Sequence, residues 1–81
     1  MENHTNNVAL IRTESGAWVT GDPFWPKTTE DINKAARLVT NSDAKKYIKV
    51  AEKRLKMGKL SIVNGLAEYD ANWTLVKVTL R

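Results

Sequence analysis

Cysteine is absent from this chain of 81 residues. Disulfide bridges, thiolate nucleophiles, iron–sulfur clusters and cysteine-based zinc sites are therefore excluded, and packing must hold the fold together. Histidine occurs once, as His4, in a polar N-terminal stretch that we expect to fray, which disfavours a histidine general base. The four glycines stand singly, so no glycine-rich loop cradles a phosphate group. We predict a protein that is not an enzyme and has no catalytic residues, metal or cofactor.

Long apolar runs are absent as well. Residues 1–7 are polar and lack the apolar core of a signal peptide, and no later stretch approaches the roughly 20 apolar residues that cross a bilayer. The length allows one domain, and 42% hydrophobic with 27% charged residues is typical of a globular protein. We predict a flexible polar leader over residues 1–7, a single domain over residues 8–81, and a cytoplasmic protein without membrane contact.

Turn residues and hydrophobic periodicity predict an α+β fold with the element order ββααβββ. A first hairpin is expected over residues 8–12 and 17–20, followed by a loop that contains both prolines. A capping pattern at Thr29 begins a first helix that extends to about residue 40. Ser42 or Asp43 begins a second helix that runs to about Met57. We expect the helix pair to pack on one face of an antiparallel sheet.

A three-stranded meander is predicted for the remainder of the domain, over residues 59–63, 66–69 and 73–80. The dipeptide Asn64-Gly65 is the strongest short hairpin signal in the chain and is expected to join the first two of these strands. In the last strand, the alternation of side chains predicts that Val76, Val78 and Leu80 face the core.

The positive charge is concentrated in one segment. The formal net charge is +4, yet residues 43–59 alone contain seven basic and two acidic residues. On a helix, five lysines of this segment fall within an arc of roughly 100°, opposite the apolar residues. These five lysines, called the lysine face below, are Lys45, Lys46, Lys49, Lys53 and Lys56.

We predict that the lysine face, with Arg54 beside it, contacts nucleic acid or an acidic protein partner. A row of ammonium groups neutralises phosphates without reading bases, so the contact would be largely independent of sequence. The two predicted helices match the helix-turn-helix pattern only weakly, because the usual turn glycine is missing. The competing interpretation is an ordinary solvated helix face, since lysine is a good helix former and common at exposed positions.

The aromatic residues divide into core and surface candidates. Trp18 and Trp73 are predicted to pack in the core, because a domain this small needs bulky side chains to bury enough area. Phe24 and Trp25 lie between two prolines in a predicted loop, which makes them a candidate anchor for a partner.

Two functions remain open on these grounds. The first is a small basic module that binds nucleic acid through phosphate contacts. The alternative is a small protein-binding regulator or inhibitor, of the kind encoded by phages or mobile elements, that docks on an acidic host protein. A homodimer is compatible with either function, because two lysine faces side by side could follow a duplex.

Overall fold

The computed structural model describes residues 3–56 and 58–81 and shows five strands and one α-helix within them. The elements are β1 (His4–Arg12), β2 (Trp18–Thr20), β3 (Lys27–Thr29), α1 (Asn41–Leu55), β4 (Ser61–Tyr69) and β5 (Leu75–Leu80). The strands form one sheet in the order β3-β2-β1-β4-β5, in which all neighbours are antiparallel. The sheet curls into a half-barrel, so the predicted ββααβββ arrangement with two helices is wrong.

The first predicted helix, from Thr29 to about residue 40, does not form. This segment holds β3, a single 3-10 turn over Ile32–Lys34 and an extended stretch. The N–H of Ala36 donates to the Val19 carbonyl at 3.0 Å, and Leu38 exchanges two hydrogen bonds with Ala9 at 2.8 and 2.9 Å. The edge of the sheet thus supplies backbone partners that compete with helix formation. The predicted capping hydrogen bonds at Thr29 and Asp31 do form, but they cap only the 3-10 turn.

The predicted hairpin turn at Asn64-Gly65 is also wrong. β4 continues through both residues, and all nine of its residues are in register with β1. Gly65 is absent from the positions with positive φ, which a two-residue turn of this kind needs. A Cβ at this position would lie 2.8 Å from the carbonyl oxygen of Thr79 in β5. Glycine is therefore required here for close approach between strands.

The core lies on both faces of β1, the central strand. On one face, Ala9 and Ile11 pack with the apolar side of α1. On the other face, Leu10 packs with Trp18 and with residues of β4 and β5. Trp18 is 6% exposed, which confirms its predicted place in the core. A strand that is buried on both faces reads as a continuous apolar run, as residues 8–11 do.

The prediction for β5 is correct only for Val78, which is buried. A register shift opposite Glu68 and Tyr69 gives β5 an extra residue, and Val76 lies there half exposed. Leu80 is half exposed as well, and its cross-strand partner is Gly65, which offers no side chain to pack against it.

The boundaries of the elements differ from the predicted ones in two further places. β1 begins at His4 and includes residues 4–7, which were predicted to belong to the polar leader. Residues 1 and 2 of that leader, and Met57 at the end of the second predicted helix, lie outside the described residues. No helix in the described ranges is long and apolar enough to cross a membrane.

Candidate binding surfaces

Local signals define both ends of α1. Thr40 is the N-cap, and its hydroxyl accepts a hydrogen bond from the N–H of Asp43 at 3.1 Å. The carboxylate of Asp43 lies in the first turn, whereas Lys53 and Arg54 lie in the last turn. Both placements stabilise the helix, because each charge is opposite in sign to the nearer end of the helix dipole. The helix ends at Leu55, and the next residue, Lys56, adopts the left-handed conformation at φ 51°. Lys56 is therefore the C-cap of α1 and not a member of its last turn.

The apolar side of α1 packs against the sheet and leaves the lysine face outside. Ala44, Tyr47 and Ala51 are buried in the cluster that contains Ala9 and Ile11. Every residue of the predicted basic site is exposed, namely Lys45, Lys46, Lys49, Lys53, Arg54 and Lys56. The geometry is that of an amphipathic helix, and a binding role for the lysine face stays a prediction.

The loop with Phe24 and Trp25 is a well-defined turn. The N–H of Trp25 donates to the Asp22 carbonyl at 2.9 Å, and the N–H of Phe24 donates to the Asp22 carboxylate at 2.8 Å. Pro23 occupies the second position of this turn, where its restricted φ is favourable. The Phe24 and Trp25 side chains are 52% and 76% exposed. A fixed backbone therefore presents two apolar rings to solvent.

The loop with Phe24 and Trp25 and the helix α1 form one surface, which the sequence alone did not predict. The Tyr47 hydroxyl donates a hydrogen bond of 2.6 Å to the Gly21 carbonyl and so ties the start of the loop to the middle of α1. The guanidinium carbon of Arg54 lies 6.0 Å from the centre of the Phe24 ring, within cation–π range. Arg54 thus links the lysine face to the exposed rings.

The phenol of Tyr47 is held in its neutral form. Burial raises the pKa of Tyr47 above its ordinary value of 10.0, and the negative charge of Asp22 raises it further. A neutral phenol can donate its proton to the Gly21 carbonyl, so the raised pKa and the hydrogen bond favour the same state.

We expect Tyr47→Phe to lower the free energy of unfolding at pH 7 by about 1 kcal/mol, because one partly buried hydrogen bond is lost. A raised pKa in the folded state means that the stabilising contribution is complete below pH 10.0 and is lost as pH rises through the folded-state pKa. Urea unfolding of both proteins from pH 7 to pH 11 should show a difference that shrinks above pH 10. A difference that grows with pH would contradict the assignment.

A second aromatic cluster surrounds the turn between β4 and β5. The Asp70 carboxylate accepts hydrogen bonds from the N–H groups of Asn72 and Thr74 at 2.8 and 3.0 Å. Trp73 adopts a left-handed conformation at φ 61°, which is unusual for a bulky residue. Its ring is 58% exposed and stacks on His4 with a centroid distance of 3.9 Å. The prediction that Trp73 belongs to the core is therefore wrong.

A cavity of about 460 Å³ lies beside this cluster and was not predicted. It is bounded by the N-terminal half of β1, by the extended stretch before α1 and by Tyr69. The Arg37 guanidinium carbon is 6.0 Å from the centre of the Tyr69 ring, and one of its N–H groups donates to the Asn33 carbonyl at 3.2 Å. Arg37 lay in a predicted helix, so no pattern in the sequence indicated this site.

Comparison with protein-family models, with curated proteins and with solved structures gave no match. Within residues 3–56 and 58–81, no three histidine, aspartate or glutamate side chains come together as metal ligands could. Any functional interpretation therefore rests on the surfaces described above.

Proposed function

We propose that this protein binds nucleic acid through phosphate contacts from the lysine face, largely without regard to sequence. The main observation in support is the placement of α1. Its apolar side is buried against the sheet, while every lysine of the opposite side is exposed. Ammonium groups on a rigid helix neutralise phosphates and release counterions, and this release supplies most of the affinity when binding ignores base identity.

The neighbouring loop adds a second kind of contact to this proposal. Trp25 is the more exposed of the two rings, and Arg54 joins the loop to the lysine face. Aromatic faces beside basic side chains stack unpaired bases, which duplex DNA does not offer. We therefore propose that single strands use both the loop and the lysine face, whereas duplexes use the lysine face alone.

The experiment is a fluorescence anisotropy titration with unrelated single-stranded and duplex oligonucleotides at several salt concentrations. We expect binding to every sequence, with an affinity that falls steeply as salt rises. Absence of binding at the lowest salt would reject the nucleic-acid proposal.

The second candidate is a protein-binding regulator that docks on an acidic protein. It is favoured by the exposed Phe24 and Trp25 rings on a rigid turn next to Arg54, because aromatic residues and arginine dominate the energetic centres of protein interfaces. A pull-down from cell lysate under conditions that remove nucleic acid tests this candidate.

The double variant Phe24→Ala, Trp25→Ala separates the two proposals. Because both rings are largely exposed, we expect the melting temperature to change by only a few degrees. Under the nucleic-acid proposal, affinity for single strands falls about tenfold or more and duplex affinity stays nearly constant, since a stacked base is worth about 1–3 kcal/mol. Under the regulator proposal, capture of the protein partner is lost instead.

A further inference from the structure

The N-terminal half of β1 has a free edge. Ala9 exchanges both of its backbone hydrogen bonds with Leu38 on the side away from β4, so odd-numbered residues of β1 point their N–H and C=O groups to that side. The hydrogen bond from the Arg81 N–H to the Asn64 carbonyl is consistent with this alternation. It directs the backbone groups of even-numbered β4 residues toward β5 and leaves those of odd-numbered residues to pair with β1. By the same alternation, Thr5 and Asn7 point outward, and their outward groups have no partner among the described residues.

The opposite edge of the sheet, in β5, is covered at one position by a neighbouring segment. The outward N–H of Val78 in β5 donates to the side chain of Asn33 at 2.8 Å, so the 3-10 turn covers β5 at this position. Proteins commonly cover or charge exposed strand edges, because a free edge pairs with any available strand. The edge at Thr5 and Asn7 lacks such a cover within the described part of the chain, although Leu38 covers the next position, Ala9.

The cavity of about 460 Å³ lies directly beside this free edge. Asn7, Val8 and Arg37 line it together with Leu38, Val39 and Tyr69. Val39 is 81% exposed and lies in the bend that follows Leu38. No carboxylate lines the cavity, so Arg37 gives it a positive charge. The site thus combines backbone donors and acceptors, apolar surface and one guanidinium.

We propose that β1 binds an extended acidic peptide, which adds to the sheet as a strand opposite Thr5 and Asn7 and places a carboxylate against Arg37. Strand addition derives affinity from main-chain hydrogen bonds and specificity from a pocket for alternate side chains, and both components are present here. Charge favours this occupant over a second copy of the chain, because each copy has a net charge of +4. The site is independent of the lysine face.

The first test uses amide hydrogen exchange and a short peptide of alternating glutamate and valine. In the protein alone, the amides of Thr5 and Asn7 should exchange quickly, whereas that of Ala9 is already bonded. Saturation with the peptide should slow exchange at Thr5 and Asn7 about tenfold or more and leave Ala9 little changed. Binding of the peptide without slower exchange at these two amides would overturn the proposal.

The second test uses variants in a background with Lys45, Lys49 and Lys53 changed to Gln, so that binding of the peptide to the lysine face is weakened. Asn7→Pro removes an outward N–H, a substitution that strands tolerate at solvent-facing edge positions, and should abolish binding. Thr28→Pro is the matched control, because the alternation in β3 also directs the N–H of Thr28 outward. This variant should bind the peptide normally. Arg37→Gln should weaken binding about tenfold.

Three outcomes of these experiments would contradict the proposal. They are equal affinity for a peptide of alternating lysine and valine, unchanged binding by Arg37→Gln, and equal loss of binding in both proline variants. A dimer in which Thr5 and Asn7 are protected without peptide would assign the edge to a second copy instead. If Asn7→Pro fails to fold, the exchange measurement on the natural sequence decides.

Discussion

Replacing Gly65 by valine is expected to lower the free energy of unfolding by about 3 kcal/mol. A Cβ at this position would lie 2.8 Å from the backbone oxygen of Thr79 and 3.4 Å from a methyl group of Leu10. The first of these contacts is with backbone of a paired strand, so β4 and β5 would have to separate. Overpacking of this kind typically costs about 1–3 kcal/mol, and a β-branched side chain at a backbone contact lies at the upper end.

Thermal and urea unfolding measure this effect, and Asn64→Val is the matched control. Asn64 is exposed in the same strand, where a β-branched residue is favourable, so its variant should differ from the natural protein by less than about 0.5 kcal/mol. A two-residue turn at Asn64-Gly65 would require positive φ at both positions and make both substitutions destabilising. Equal losses in the two variants would therefore contradict the continuous β4.

Changing Lys45, Lys49 and Lys53 together to Gln is expected to reduce nucleic-acid affinity about a hundredfold at 0.1 M salt. If each ammonium group neutralises one phosphate of a duplex, the slope of log affinity against log salt shrinks by about two to three units. Stability should hold, because glutamine has a helix propensity close to that of lysine and all three side chains are exposed. Anisotropy titrations from low to moderate salt measure both quantities.

A control with the same change in net charge locates this effect on the molecule. Lys27, Lys34 and Lys77 are exposed in β3, in the 3-10 turn and in β5, and none belongs to α1. Changing these three to Gln should reduce the salt slope by less than about one unit, because only long-range attraction is altered. Equal effects of the two triple variants would mean that overall charge, and not the lysine face, determines binding.

Local signals determine the parts of the fold that the sequence predicts correctly. The helix α1 overlaps the second predicted helix, since its N-terminal cap, its dipole-compensating charges and its apolar spacing lie within one short segment. The N-cap is Thr40, two residues before the earlier of the two predicted caps. The loop that contains both prolines was likewise predicted, because proline disfavours helix and central strand, and in the structure Asp22 accepts the hydrogen bond that fixes its turn.

Distant strands decide the parts of the fold that the sequence predicts wrongly, because they offer better backbone hydrogen-bond partners than the local helix pattern. The apolar spacing after Thr29 resembles a helix, yet Ala36 and Leu38 find backbone partners on the sheet, in Val19 and Ala9. Short helices are marginal without tertiary support, so an available sheet edge outweighs their weak propensity. At Gly65, a dipeptide typical of a turn lies in a strand, because β5 comes too close for any side chain.

The same division applies to the candidate surfaces. The amino-acid sequence by itself determined that the chain is basic, has no cysteine, bears one lysine-rich amphipathic helix and carries two rings between prolines. The tertiary structure decided that Tyr47 and Arg54 join those rings to the helix. It also decided that Arg37, Tyr69 and the N-terminal half of β1 line an open cavity. Residues far apart in the chain meet there through strand pairing, and no short-range pattern encodes which strands pair.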